Sequence, residues 1–207
     1  MSRGRFVTLE GIEGAGKTSV AQIVLEWLAA RGIAARATRE PGGTALAERV
    51  REIVLHASAE RIAPSAETLL MFAARSIHLE NLIRPALSRG EWVICDRFTD
   101  ATRAYQGAGR GVAAELIEQL ATVVHGDLWP DCTLLLDLPV PLGLQRARAR
   151  GSRVDRFEQE RAPFFERVRS AYLELAQREP RRIRVIDASR SLATVRDDVT
   201  AILEKLL

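Results

Sequence analysis

The run Gly11-Ile12-Glu13-Gly14-Ala15-Gly16-Lys17-Thr18 brings together residue types that suit phosphate chemistry. In a G-x-x-x-x-G-K-T spacing the glycines let backbone N–H groups curl around phosphate oxygens, and a following helix adds the positive end of its dipole. The lysine reaches the β- and γ-oxygens, and the threonine hydroxyl holds Mg²⁺. With this chain's composition the pattern arises by chance about 0.001 times over its length. The run also has the context it needs, an apolar strand-like segment before it and a helical pattern after it. A nucleoside triphosphate is therefore expected along Gly11, Ile12, Glu13, Gly14, Ala15, Gly16, Lys17 and Thr18. A guanine-reading N-K-x-D segment is absent, since Asn81 is the only asparagine and neither lysine follows it; a D-x-x-G switch is absent too. These absences exclude a conventional GTPase.

Other charged residues cluster where a phosphoryl group could be handled. Asp96-Arg97-Phe98 ends an apolar run, which puts an acid and a base at the carboxyl end of a sheet, where ligands bind. Arg39 follows another strand-like run, and Arg75 lies on a long helical stretch. Arg146, Arg148, Arg150, Arg153 and Arg156 surround Gly151-Ser152. Phosphoryl transfer is catalysed mainly by positioning and by cations around the moving group, and the variable positions of the glycine loop supply none. The arginine cluster thus reads as a closing lid, about residues 146–158, that also excludes water. For any one of these arginines a solvated helix end is the simpler reading; for the cluster beside a phosphate loop, the lid is favoured. Thr102, Tyr105 and Gln106, followed by a flexible glycine-rich stretch at 107–111, suggest a second site that reads a sugar and a base. Phe72, an aromatic on an apolar helix, is core by default.

The elements that must position these groups follow from apolar periodicity. Short runs at 5–9, 34–38, 91–95, 132–136 and 182–186 read as strands, four of them nearly continuous in apolar residues, as in a parallel sheet covered on both faces. The run at 34–38 is weak alone and is assigned from its place in the alternation. Helical patterns fit 17–30, 44–56, 65–89, 112–125, 141–150, 155–178 and 191–206. The expectation is an α/β fold of the P-loop NTPase type, a five-stranded parallel sheet flanked by helices on both faces, forming one domain over 1–207 with a short lid.

Composition narrows the rest. A 47% apolar share in 207 residues excludes disorder and fibrous repeats. No apolar stretch approaches the roughly 20 residues of a membrane span, and the basic start leads into no cleavage-type segment, so a cytoplasmic location is expected. Cys95 and Cys132 read as buried thiols, and the three histidines form no zinc-binding pair. The net charge of +3 is small, and the arginines converge on loops around one crevice, which argues against nucleic-acid binding.

Together the motifs resemble bacterial thymidylate kinases, a family of nucleoside monophosphate kinases. The resemblance rests on 10–18, on Thr38-Arg39-Glu40-Pro41-Gly42-Gly43-Thr44, on Leu70-Met71-Phe72-Ala73-Ala74-Arg75, on Asp96-Arg97-Phe98, on Ala104-Tyr105-Gln106-Gly107 and on Arg146-Ala147-Arg148-Ala149-Arg150-Gly151, in the family's order. It implies transfer of the ATP γ-phosphate to dTMP with Mg²⁺, in a homodimer. It further implies that Glu13 contacts the sugar's 3′-hydroxyl region, that Arg39 and Arg97 hold the dTMP phosphate, and that Phe72 stacks on thymine while Arg75 donates to its O4. Thr102 and Gln106 would approach the base edge, Tyr105 would crowd the 2′ position, and Asp96, with Thr18, would sit at Mg²⁺. Lys17, Arg97, Arg150 and Glu13 would be catalytic, and Arg146, Arg150 and Arg153 would meet the ATP phosphates. The rival readings are another nucleotide or nucleoside kinase on the same scaffold and a non-catalytic ATP-binding switch.

Overall fold

The computed structural model describes residues 3–56, 60–149, 157 and 160–207. Five strands, β1 (Phe6–Glu10), β2 (Ala35–Arg39), β3 (Trp92–Asp96), β4 (Cys132–Asp137) and β5 (Ile183–Asp187), form one parallel sheet in the order β2-β3-β1-β4-β5. β1 is central and fully buried. The chain winds away from it in both directions, so a crevice opens beyond its carboxyl end. Register levels the edges of that crevice: Leu9 and Arg39 both pair with Asp96, and Glu10 pairs with Leu135.

Each expected strand is present, and all five run one residue further at the carboxyl end. The added residue is polar every time (Glu10, Arg39, Asp96, Asp137 and Asp187). Apolar patterning stops where side chains turn to the crevice, whereas the backbone ladder continues through it. β2 has the patchy burial expected of a weak strand. The last run departs from expectation: only Ile183 and Ile186 of β5 are buried and Val185 is half exposed, because β5 is an edge.

Alternation along the strands makes two apolar layers. Val7, Leu9 and Ile94 face helix α1 (Lys17–Ala29), whose Val20, Ile23, Val24, Trp27 and Leu28 are spaced at three and four residues. Phe6, Val93 and Cys95 face the other way, onto Leu79, Ile83, Ala86 and Leu87. Helix α2 spans Ala45–His56.

The stretch expected as one helix over 65–89 is three pieces: α3 (Pro64–His78), a π-helical turn (Leu79–Ile83) and α4 (Arg84–Ser88). Pro85 has no N–H to give, and the wider turn just before it absorbs the break in the hydrogen-bond ladder. The glycine-rich stretch read as flexible is likewise corrected. A short helix α5 (Thr99–Thr102) continues into a π-helical segment, Arg103–Gly109. Gly109 there serves close packing, since a Cβ on it would lie 2.6 Å from Cε2 of Phe164.

Helices α6 (Ala114–Val124), α7 (Val140–Ala149), α8 (Ala162–Arg178) and α9 (Leu192–Leu203) complete the fold. α8 is described from Ala162, and the expected start at 155 lies outside the described residues. Arg161 is extended and Pro163 occupies the first turn, the position where a missing N–H costs least.

Candidate active site

The loop from β1 to α1 is shaped by glycines at positive φ, with Gly11 at 136°, Gly14 at 75° and Gly16 at 92°. Contact as well as conformation demands them. A Cβ on Gly11 would sit 2.5 Å from the Leu136 carbonyl oxygen, and one on Gly14 would strike the backbone of Gly143 in α7. Gly16 is the N-cap of α1 and offers no side chain to its first-turn N–H groups, an arrangement that suits an anion. Lys17 arches back over the loop, its Nζ donating to the carbonyls of Gly11 (3.3 Å) and Ile12 (3.2 Å). Burial, and then the charge of Arg97, pull its pKa down. Thr18 is exposed at the same helix end. Asp96, the last residue of β3, keeps a buried Oδ1 with no hydrogen-bond partner among the described residues.

Arg97 is the hub of the crevice. It is the one non-glycine residue at positive φ among the described residues (74°), and its N–H is tied to the Leu9 carbonyl at 3.0 Å. Backbone strain of this kind persists only where the surroundings over-determine it. Here they do: Nη2 donates to Glu13 Oε1 (2.8 Å) and to the Tyr105 hydroxyl (2.9 Å), and Nη1 reaches the Tyr172 hydroxyl (3.3 Å). Tyr105 closes the triangle by donating to Glu13 Oε2 at 2.5 Å. Beneath, Tyr172 donates to Glu10 Oε2 (2.6 Å) and the N–H of Phe98 to Glu10 Oε1 (2.8 Å). Burial first, and then the charge of Asp100, push the Glu10 pKa up to about 8.

Beside this hub lies a cavity of about 100 Å³ whose lining includes Glu13, Arg75, Arg97, Thr102, Tyr105 and Gln106. Arg75 is 3% exposed and pinned: Nε donates to Glu40 Oε2 at 2.6 Å and Nη2 to the Thr102 hydroxyl at 3.1 Å. Glu40 is held in turn by His78 Nδ1 (3.0 Å), whose Nε2 meets the Thr38 hydroxyl at 2.7 Å. Arg75 Nη1 remains buried with no hydrogen-bond partner among the described residues. A buried donor without a partner on a cavity wall is available to an acceptor oxygen.

The candidate residues are not all brought together. Glu13, Arg75, Arg97, Thr102, Tyr105 and Gln106 share one cavity, which opens beside the phosphate loop. Phe72 is buried against Ile117 and Ala121, with the Arg75 guanidinium 4.7 Å above its ring, and is absent from the cavity lining. Arg39 is more than half exposed and forked onto Glu48 at 3.2 and 3.0 Å. Arg146 donates to the Ala188 carbonyl at 2.8 Å, beyond the end of β5. Arg150 and Arg153, with most of the lid, lie outside the described residues.

Glu10, Glu40, His78, Glu67 and Tyr172 are functional neighbours that the sequence does not predict. For two of them a signal exists: Glu10 closes the apolar strand β1 and Glu40 follows β2, and buried acids need partners. The partners themselves lie too far along the chain to be found by spacing.

Comparison with known proteins agrees with this geometry. The model of the thymidylate kinase family matches residues 9–199. The thymidylate kinase of Alkalilimnicola ehrlichii is 56% identical over 206 residues, covering 100% of this chain and 94% of that protein. The thymidylate kinase of Pseudomonas syringae pv. tomato is 57% identical over 204 residues, covering 99% and 95%. The crystal structure of thymidylate kinase from Ehrlichia chaffeensis superposes with a TM-score of 0.77 at 32% identity, covering 98% of this chain and 99% of that one. With a glycine loop, an arginine hub and a base-sized cavity aligned along one crevice, and with likeness over its whole length, the chain belongs to the thymidylate kinase family.

Proposed function

We propose that the chain transfers the γ-phosphate of ATP to dTMP, giving dTDP and ADP, within one catalytic unit spanning 1–207. One observation carries the choice of acceptor. A cavity lined by Arg75, whose buried Nη1 has no partner among the described residues, is also lined by Arg97, so one cavity offers a donor for a base and a cation for its phosphate. Thymine O4 accepts from Arg75, and Thr102 and Gln106 flank the base edge; Phe72, expected to stack on thymine, instead backs the Arg75 guanidinium from outside the cavity. Arg97 and Arg39 take the dTMP phosphate, and Glu13 faces the sugar's 3′ side.

The phosphate loop takes the ATP phosphates, with Lys17 swinging from the Gly11 and Ile12 carbonyls to their β- and γ-oxygens. A dTMP phosphate oxygen attacks the γ-phosphorus in line, and the bond to the ADP oxygen breaks. The attacking oxygen is already anionic, so no general base is required. Arg146, Arg150 and Arg153 meet the ATP phosphates, as the family resemblance implies.

The residues suit Mg²⁺. The Thr18 hydroxyl stands at the loop's end, and the unpartnered Asp96 Oδ1 is an oxygen acceptor matched to a water on a hard cation. Bound there, Mg²⁺ would neutralise charge on the ATP phosphates. The chain acts as a homodimer, as the family resemblance implies, and the exposed apolar side chains Leu46, Ile53, Leu69 and Val123 of α2, α3 and α6 are suited to cover by a partner. No helix among the described residues is long and apolar enough to cross a membrane. The nucleotide substrates set the place of action in the cytoplasm.

The test is ADP release from MgATP with dTMP, dUMP, AMP, CMP, GMP and thymidine as separate acceptors. A response to dTMP well above the others is expected. Preference for another monophosphate would overturn the base assignment, and release indifferent to every acceptor would favour the ATP-binding switch.

A further inference from the structure

We infer that Glu67 is a specificity-determining positioning residue, which orients the Gln106 carboxamide and so sets the hydrogen-bond polarity of the cavity toward the acceptor's base. This inference rests on the reading of the cavity as the dTMP base pocket.

Glu67 lies on α3, two turns before Arg75, and is 1% exposed. Residues 67, 71 and 75 recur every four positions and share one face of the helix. Met71 and Arg75 line the cavity, while Glu67 stands behind Gln106, accepting from its Nε2 at 2.7 Å. Glu67 is also 3.6 Å from Nε of Arg110, a guanidinium that sits over the rings of Phe164 and Phe157 and bonds to Glu160. A carboxylate in that company only accepts hydrogen bonds.

The donor–acceptor inventory then fixes the amide. Turned the other way, Gln106 would place its carbonyl oxygen against a carboxylate oxygen at 2.7 Å. Glu67 therefore claims the NH₂ end, and Oε1 is the atom that Gln106 offers from the cavity wall. Gln106 Oε1 then stands as an acceptor on the same wall as the Arg75 Nη1 donor, which has no hydrogen-bond partner among the described residues. Thymine and uracil carry the complementary pair, an N3–H donor beside the O4 acceptor. Cytosine carries the reverse, a bare N3 beside an amino group, and leaves both wall groups unpaired. Discrimination is strongest where a mismatched ligand strands buried polar groups.

Two acids on or beside one helix thus set two reading groups of opposite polarity. Glu40 aims the Arg75 donor, and Glu67 turns the Gln106 acceptor.

The experiment is steady-state kinetics of wild type, Glu67→Gln, Gln106→Leu, the Glu67→Gln/Gln106→Leu double variant and Arg75→Ala with dTMP and dCMP. Glu67→Gln can donate to Oε1 and lets the amide turn. It should raise KM for dTMP about tenfold with kcat within about twofold, and raise the dCMP-to-dTMP ratio of kcat/KM about tenfold. Gln106→Leu removes the amide and should raise the same ratio about tenfold, and in that background Glu67→Gln should move it by less than about twofold. An unchanged ratio in Glu67→Gln, or a full further effect of Glu67→Gln in the double variant, would overturn the inference. So would an unchanged ratio in Gln106→Leu, which leaves Glu67 nothing to orient and is readable even if Glu67→Gln folds poorly. Arg75→Ala separates the two levels. If it leaves KM for dTMP and base preference unchanged, the base-pocket reading fails; if it alters them while Glu67→Gln does not, only the role of Glu67 falls.

Discussion

The two halves of the crevice are built by different means. The donor half is backbone: positive-φ glycines at 11, 14 and 16, an α1 N-terminus without a side-chain cap, and a lysine resting on two carbonyls at 3.2–3.3 Å. The acceptor half is side chain: a chain of buried and half-buried bonds from Thr38 through His78, Glu40 and Arg75 to Thr102, and another from Glu10 through Tyr172 and Arg97 to Glu13. A triphosphate is recognised by generic N–H groups and a mobile cation. A base is recognised by donors and acceptors that must not turn. Rigidity is accordingly concentrated where discrimination is needed.

The largest effect should separate the halves most cleanly. Lys17→Ala is expected to lower kcat about 10³-fold. It should barely move the unfolding midpoint, because Lys17 holds only two long bonds to its own loop. Arg75→Ala should do the opposite in kind. It leaves Glu40 buried with His78 alone, so about 3 kcal/mol of stability should go along with a roughly hundredfold rise in KM for dTMP. Paired activity and urea-unfolding measurements check both. A large stability loss in Lys17→Ala, or none in Arg75→Ala, would break the comparison.

A middle-sized effect probes how the backbone half is held. Gly143 of α7 lies against the loop, and a Cβ there would meet the Glu13 carbonyl oxygen at 2.7 Å and Ile12 Cδ1 at 3.0 Å. Gly143→Ala should cost about 1–3 kcal/mol of stability by overpacking. It should also weaken ATP binding more than dTMP binding, as two titrations would record. Equal weakening of both would mean that the halves are not separately supported.

The same division governs how much was legible in the sequence. The glycine loop of the donor half is contiguous, 11–18 after one strand and before one helix, so residue type and spacing point to it directly. The acceptor half is not. Arg75, Arg97, Tyr105 and Gln106 could be singled out, but what aims them could not: Glu40 meets Arg75 across 35 residues, Glu67 meets Gln106 across 39 and Tyr172 meets Glu10 across 162. The π-helical segment at Arg103–Gly109 was hidden for a related reason. Its glycines look like a loop by composition, whereas Gly109 is fixed by the ring of Phe164, 55 positions along the chain. Phe72 and Arg39 illustrate the converse: their types were informative, but burial against Ile117 and pairing with Glu48 are decided by tertiary neighbours.

The smallest effect asks whether acid loosens one half before the other. His125 is buried beneath the acceptor half, 5.2 Å from the ring of Phe98, with Nε2 on the Thr99 hydroxyl at 3.0 Å. Burial, and then the charge of Arg75, bring its pKa down to about 4 from the usual 6.5. The unfolded chain therefore binds a proton below pH 6.5 that the folded chain refuses until about pH 4. The stability tied to neutral His125 is complete above pH 6.5 and falls away as pH drops toward 4, amounting to about 2 kcal/mol by pH 5. Urea unfolding of the wild type should lose that amount between pH 7 and pH 5 beyond what His125→Gln loses. Hydrogen exchange at pH 5 should quicken first in Thr99–Gly109, the segment His125 supports, with Lys17–Ala29 following later. Simultaneous loosening of both segments would show that the acceptor half does not carry this pH sensitivity on its own.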